Sequence, residues 1–262
     1  MIYYDMDNAD DQQRMIKAAP MGVMPRQTKY GDADAAGIPY GEAYPDDLVD
    51  LKDAKEIIQH CHDEKIFPVY HQQATWAPTD FEWTQDGLGY CWTWSGTGNL
   101  MNCRAREGKE TVMLAPVSMG WLVNWRNKGN YLESFIRGVQ ERGIAPASYV
   151  PDQHSPNPRK FKKGWEAAAL NFRLPEKSVW DCDPGKMLQH CLSQLKLGVS
   201  LYSAWNRLFH AMSVVGLLWD ETKYNNVVWQ VRNSHNETEP IHMSGRNAEP
   251  DESFGFNSTL TC

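Results

Sequence analysis

Apolar residues recur at helical spacing through the first two-thirds of the chain and at strand spacing through its last third. Asp50 to Lys65 reads as a helix. Leu51, Ala54, Ile58 and Cys61 fall on one face, Asp50 can cap its start, and Asp53 sits in the first turn, where a negative charge suits the dipole. A second helix is predicted from Cys91 to Arg106. Gly96 and Gly98 inside it each weaken it by about 1 kcal/mol relative to alanine, and they point to close packing of another element. A third fits Asn130 to Arg142, with Leu132, Phe135, Ile136 and Val139 together and Gly143 as its stop. Pro184 to Leu195 reads as one more. From Gly198 the pattern turns to strands: G-V-S-L-Y-S-A-W, then H-A-M-S-V-V-G-L-L-W from His210. N-V-V-W-Q-V-R-N-S follows as the hairpin partner across Asp220 to Asn226. Helices first and antiparallel strands last make an α+β chain with segregated layers.

The remaining stretches carry weaker patterns. Residues 1 to about 46 read as irregular, with Asp5, Asp7, Asp10 and Asp11 forming a solvated acidic arm. A calcium loop starting at Asp5 fails, because Asp10 and Ile16 stand where the loop needs glycine and glutamate. Gly31 to Pro45 reads as coil, and Ile66 to Thr84 as strand-and-loop material rich in aromatics. Pro146 to Pro158 holds four prolines and no periodicity, which suits a crossing between lobes. The basic run Arg159, Lys160, Lys162 and Lys163 reads as a solvated loop. The expected division is an extension over 1–65, a helical lobe over 66–150 and a β-rich lobe over 151–262.

Composition narrows the function classes. The 262 residues, 42% of them hydrophobic, suffice for one large domain or two lobes sharing a cleft. A net charge of −7 argues against nucleic acid as a partner. The longest apolar run, Met212 to Trp219, is far short of the roughly 18 residues of a membrane span. M-I-Y-Y-D-M-D has neither a basic nor an apolar signal region. The six cysteines form no C-x-x-C pair and no ladder, as expected of free thiols in a reducing compartment. His60, Cys61 and His62 point in different directions on a helix and cannot converge on a metal. No metal and no cofactor is implied.

One stretch carries chemistry: Gln85 to Ser95, Q-D-G-L-G-Y-C-W-T-W-S. Cys91 stands where a loop becomes a helix, and unpaired N–H groups with the positive end of the helix dipole favour a thiolate there. A cysteine nucleophile needs a base and a group to orient it. His210 opens one strand of the expected hairpin and Asn233 ends the other, so the two should be neighbours.

These residues resemble the papain-like cysteine peptidases, in several places and in the same order. Gln85, Gly89, Cys91 and Trp92 reproduce the spacing of that family's active-site stretch. L-A-P-V-S-M-G-W-L-V-N-W resembles its L-S-E-Q-x-L-x-D-C segment, and N-K-G-N-Y-L-E-S-F-I-R-G-V its glycine-pair loop and following helix. H-A-M-S-V-V-G is similar to H-A-V-x-x-V-G, and V-W-Q-V-R-N-S to Y-W-x-V-K-N-S-W. His210 lies 119 residues after Cys91 and Asn233 lies 142 after it, against the roughly 130–150 usual in this family. The resemblance implies a two-lobed fold, the helical lobe carrying the cysteine and the antiparallel β lobe the histidine and asparagine. It implies Cys91 as nucleophile, His210 as acid and base, and Asn233 as the orienter. Gln85 and the Cys91 N–H would form the oxyanion hole. Gly129, Asn130 and Tyr90 would line the substrate cleft, and Trp92 would pack the helix start.

There are departures. Leu88 and Tyr90 replace a cysteine and a serine, so the family's disulfide from that loop is absent, which fits an intracellular or virion-type non-secretory setting. Asn130 replaces the second glycine of the pair, and His235 a tryptophan that shields the asparagine–histidine bond. The expected function is a papain-type cysteine hydrolase, foremost a peptidase, acting on a peptide or protein, with neither membrane nor nucleic acid as partner. The alternative is an inactive papain-fold module within a larger assembly, for which an N-terminal extension filling the cleft would speak.

Overall fold

Alternation along the last third of the chain builds the middle of a mixed sheet, and the amphipathic helices cover its two faces. The computed structural model describes residues 2–18, 22–24, 42–71, 83–85, 87–235 and 239–260. The helices, in chain order, are α1 (Ala9–Ala18), α2 (Ala54–Asp63), α3 (Cys91–Arg106), α4 (Leu132–Arg142), α5 (Trp165–Ala169) and α6 (Met187–Leu195). The strands are β1 (Ile2–Asp5), β2 (Glu42–Ala43), β3 (Val179–Asp181), β4 (Leu201–Trp205), β5 (His210–Trp219), β6 (Val227–Arg232), β7 (Ile241–Ser244) and β8 (Glu252–Phe256). They form one sheet in the order β1-β7-β6-β5-β4-β8-β3-β2. The inner pairs are antiparallel, while β1 joins β7 and β2 joins β3 in parallel.

Period-two burial assigns the sheet residues to two cores. On β4, Tyr202 and Ala204 face one way and Leu201 and Trp205 the other; on β5, Ala211 opposes Met212 and Val214. The first face meets α3 and α4 through Trp92, Trp94, Phe135 and Ile136. The second meets α2 and α6 through Ile58, Cys61, Leu188 and Leu192. The fold is α+β and two-lobed.

The helix expectations hold with local adjustments. Asp50 accepts from Lys52 N at the start of a 3-10 turn that leads into α2, and Ala54, Ile58 and Cys61 are buried while Leu51 stays exposed. Gly143, at φ 72°, terminates α4. In α3, a β-carbon on Gly96 would overlap the Phe135 ring, so the glycine lets α4 approach. The 220–226 turn places Asn225 and Asn226 at positive φ and joins β5 to β6. Pro146 to Pro158 runs as irregular chain with a 3-10 turn at Ala147–Tyr149.

The N-terminal stretch differs from expectation. Asp5, Asp7 and Asp10 are exposed as expected, but the stretch is not irregular: β1 and β2 form the two outer edges of the sheet, and α1 lies between them in sequence. Asp7 is anchored through its carboxylate, which accepts from Arg246 N and from Asn247 N and Nδ2. Such short strands carry no readable alternation, and their pairing partners lie far away in the sequence. Most of the Gly31 to Pro45 coil, and Ile66 to Thr84 from residue 72 to 82, lie outside the described residues.

Candidate active site

The site forms where the start of α3 meets the start of β5. α3 is buried almost throughout, and polar contacts fix its position along the sheet. Ser95 Oγ pairs with Ser213 Oγ at 3.2 Å, Asn99 Nδ2 donates to Ser213 Oγ at 2.8 Å, and Tyr202 OH donates to Trp92 O at 2.7 Å. The Ala211 N–H therefore reaches Cys91 Sγ at 3.4 Å, which puts the sulfur one residue from His210. His210 Nε2 donates to Asn233 Oδ1 at 2.7 Å. An amide oxygen only accepts, so the neutral ring carries its proton on Nε2. Nδ1, buried, has no hydrogen-bond partner among the described residues. Cys91 and His210 are both fully buried.

Gln85 is held from the other side. Thr84 bridges His235 in antiparallel fashion, and Gln85 N donates to Ser234 O at 2.9 Å. The Gln85 amide accepts from Ser234 Oγ and donates to Leu88 O at 2.6 Å. Ser234 N donates to Asn233 Oδ1 at 2.8 Å, so Ser234 ties the glutamine to the histidine–asparagine pair. His235 stacks on His210 with ring centroids 5.5 Å apart and planes 21° apart. Trp92 is buried at the helix start, and its Nε1 donates to Gly89 O at 3.2 Å.

The sequence singled out neither Gly22 nor Phe209. Gly22 and Val23 both donate their N–H to Phe209 O, at 3.1 and 3.0 Å. Asn130 N donates to Gly22 O at 3.0 Å, and Met24 N to Asn130 O at 3.0 Å. This strap, Gly22 to Met24, passes between Asn130 and Phe209 directly over Cys91. A glycine inside an apparently irregular stretch gives no sequence signal. Phe209, exposed and at φ 49°, holds a backbone conformation unfavourable for a bulky residue, and that turn aims its carbonyl at the strap.

The seven expected residues are partly gathered. Cys91, His210, Asn233 and Gln85 converge, and Gly129 and Asn130 flank the strap. The Tyr90 side chain turns away: it is fully buried, packs on Trp92 and donates to Arg126 O at 2.9 Å. It braces the loop behind the cleft and does not border it.

Burial sets the charge state under the strap. It pushes the Cys91 thiol up to about 12, against the opposing pull of the N–H groups of Ala211, Trp92, Cys91 and Gly22. Burial, with His235 adding to it, drives His210 down to about 3 although Asn233 favours the charged ring. His235 falls to about 4 by burial. Between these values the thiol and imidazole are both uncharged. Among the described residues no cluster of His, Cys, Asp and Glu could hold a metal ion, and the five described cysteines are buried free thiols.

No protein-family model and no curated protein matches the sequence. Solved structures do. Xylellain, a cysteine protease from Xylella fastidiosa, superposes with a TM-score of 0.60 over 93% of this chain and 97% of its own, at 13% identity. The chain has the papain-like fold. Digestive procathepsin L 3 of Tenebrio molitor matches with a TM-score of 0.57 over 94% of this chain and 79% of its own, at 13% identity. Recombinant stem bromelain precursor gives 0.54 over 95% and 80%, at 12% identity. At such identities the likeness is one of fold. No described helix is long and apolar enough to cross a membrane.

Proposed function

We propose that this chain is a papain-type cysteine hydrolase, foremost a peptidase, held latent by the Gly22 to Met24 strap. The observation that carries this reading is the placement of a helix-start sulfur beside a histidine whose Nε2 is fixed by Asn233 and whose Nδ1 is unpartnered. Once the strap leaves, water and substrate enter, desolvation eases, and the proton passes from Cys91 Sγ to His210 Nδ1. The thiolate adds to a substrate carbonyl carbon. The Cys91 N–H and the second hydrogen of Gln85 Nε2 stabilise the oxyanion, each such donor contributing about 3–4 kcal/mol. His210 then protonates the leaving amine, and water, deprotonated by the same ring, hydrolyses the thioester.

Latency is supported by how the strap lies. The Gly22 carbonyl accepts from Asn130 N, a donor outside the proposed oxyanion pair, and the Gly22 N–H donates to Phe209 O. A second reading, a papain-fold binding module without activity, draws on the uncharged thiol–imidazole pair. Val23→Asp separates the two. Val23 is buried, and a carboxylate there would displace the strap. The variant is expected to hydrolyse an unfolded protein substrate such as casein, with loss of activity on adding Cys91→Ser. A variant whose Cys91 is readily alkylated but which cleaves nothing supports the binding module.

A further inference from the structure

The chain that follows the strap in sequence docks on two elements. β2 pairs with β3, Glu42 opposite Trp180 and Ala43 opposite Asp181. Beyond β2, Val49 N donates to Ser193 Oγ at 2.9 Å, Gln189 Nε2 donates to Val49 O at 3.1 Å, and Tyr44 OH donates to Ser193 O at 3.3 Å. Residues 42–49 are therefore held by β3 and by α6. A cysteine belongs to each: Cys182 directly follows β3, Cys191 lies in the middle of α6, and both are buried in the same core cluster. Their side chains converge. Cys182 N donates to Ser253 O at 3.0 Å, and Cys191 Sγ reaches Ser253 Oγ at 4.0 Å. Gln194, one turn after Cys191 on the same face of α6, donates from Nε2 to Cys182 Sγ at 3.2 Å. Burial first, and then the Cys182 thiol against it, hold Cys191 well above the ordinary thiol range.

We propose that Cys182 and Cys191 form a disulfide when the chain folds in the presence of a disulfide oxidant, and that this bond clamps the anchorage of residues 42–49. With glutathione disulfide as the oxidant, the thiolate of one cysteine attacks a glutathione sulfur. A protein–glutathione bond forms, and the first glutathione leaves as a thiolate and takes up the proton that the cysteine gave up. The thiolate of the other cysteine attacks the protein sulfur of that mixed disulfide. The Cys182–Cys191 bond forms, and the second glutathione leaves and takes up the second proton. Two protein thiols are oxidised and one glutathione disulfide is reduced. The bond spans nine residues of sequence and ties the end of β3 to the middle of α6, so conformations in which the two part are removed. Folding shields both sulfurs from solvent, so oxidation accompanies folding. The bond forms whether or not Cys91 acts as a nucleophile.

The test refolds the full chain from urea with and without a glutathione–glutathione disulfide buffer, alkylates free thiols with N-ethylmaleimide, and digests with trypsin for mass spectrometry. Cleavage after Lys177, Lys186 and Lys196 puts the two cysteines on separate peptides, 178–186 and 187–196. The oxidised sample is expected to yield these two peptides joined, two hydrogens lighter than their sum, and the joined species is expected to vanish in Cys191→Ala and in Cys182→Ser. Both peptides recovered chiefly as maleimide adducts, or joined to the peptides of Cys61, Cys91 or Cys103 as often as to each other, overturn the pairing. In the joined protein, hydrogen exchange at the Val49 amide is expected to be slower by about tenfold or more than in the protein refolded without oxidant, with no such difference in either variant. Exchange at Val49 that ignores the bond in the parent overturns the clamp.

Discussion

Ser234 shows how a side chain outside the expected set can organise a site. Its hydroxyl, N–H and carbonyl meet the Gln85 side chain, Asn233 Oδ1 and the Gln85 N–H. Ser234→Ala leaves a buried amide oxygen with one donor fewer, which costs about 1–3 kcal/mol. The expected outcome is a lower urea midpoint together with slower hydrolysis in the strap-released protein; an unchanged midpoint would show the contact to be idle. The residues proposed to bear the chemistry could be picked out because each stands in a motif with fixed spacing: Gln85 before Cys91, His210 at a strand start, Asn233 at a strand end. Ser234 was written in the same motif, but its task depends on the approach of Thr84 and Gln85 from elsewhere in the chain. Tyr90 was misplaced because adjacency to Cys91 says nothing about which side of the helix start a side chain takes.

α3 and α4 make the element-scale case. Gly96→Ala has opposite terms: alanine favours the helix by about 1 kcal/mol, while overpacking against Phe135 costs about 1–3 kcal/mol. The second is expected to win, giving a net loss in thermal or urea stability; a gain would mean that α4 yields freely. The longer helices and the β5–β6 hairpin could be read from periodicity because each buries one face over several turns or pleats. The strands β1, β2, β3 and β8 were invisible, being two to five residues long and paired to segments remote in sequence, and β7, only four residues long, was missed although it pairs with β6 just before it. For the same reason the two-edged role of the N-terminal stretch could not be inferred from its acidic composition.

At the scale of the molecule, the strap falls in sequence between two strands of the sheet, β1 at one edge and β2 at the other. In the closed protein His210 and His235 are neutral rings, lowered to about 3 and about 4, in each case chiefly by burial. A histidine whose folded value lies below its ordinary 6.5 takes up its proton first in the open or unfolded state. Stability of the closed state is therefore full above about pH 6.5 and declines as pH falls toward 3–4, by up to about 1.4 kcal/mol per unit for each ring. Hydrogen exchange at Gly22 to Met24 should accelerate over that window, and His235→Trp should flatten the dependence. An exchange rate that follows only the intrinsic pH trend would remove histidine burial as the cause.

The same two rings and the thiol they adjoin decide the central claim, that Cys91 is the nucleophile of a hydrolase silenced by desolvation. The most direct measurement is the pH profile of Cys91 alkylation by iodoacetamide in Val23→Asp, with and without His210→Ala. A thiolate–imidazolium pair predicts reactivity persisting down to about pH 5, collapsing in the double variant to the profile of an ordinary thiol near 8.5. A profile that rises only above pH 8 whether or not His210 is present would contradict the account.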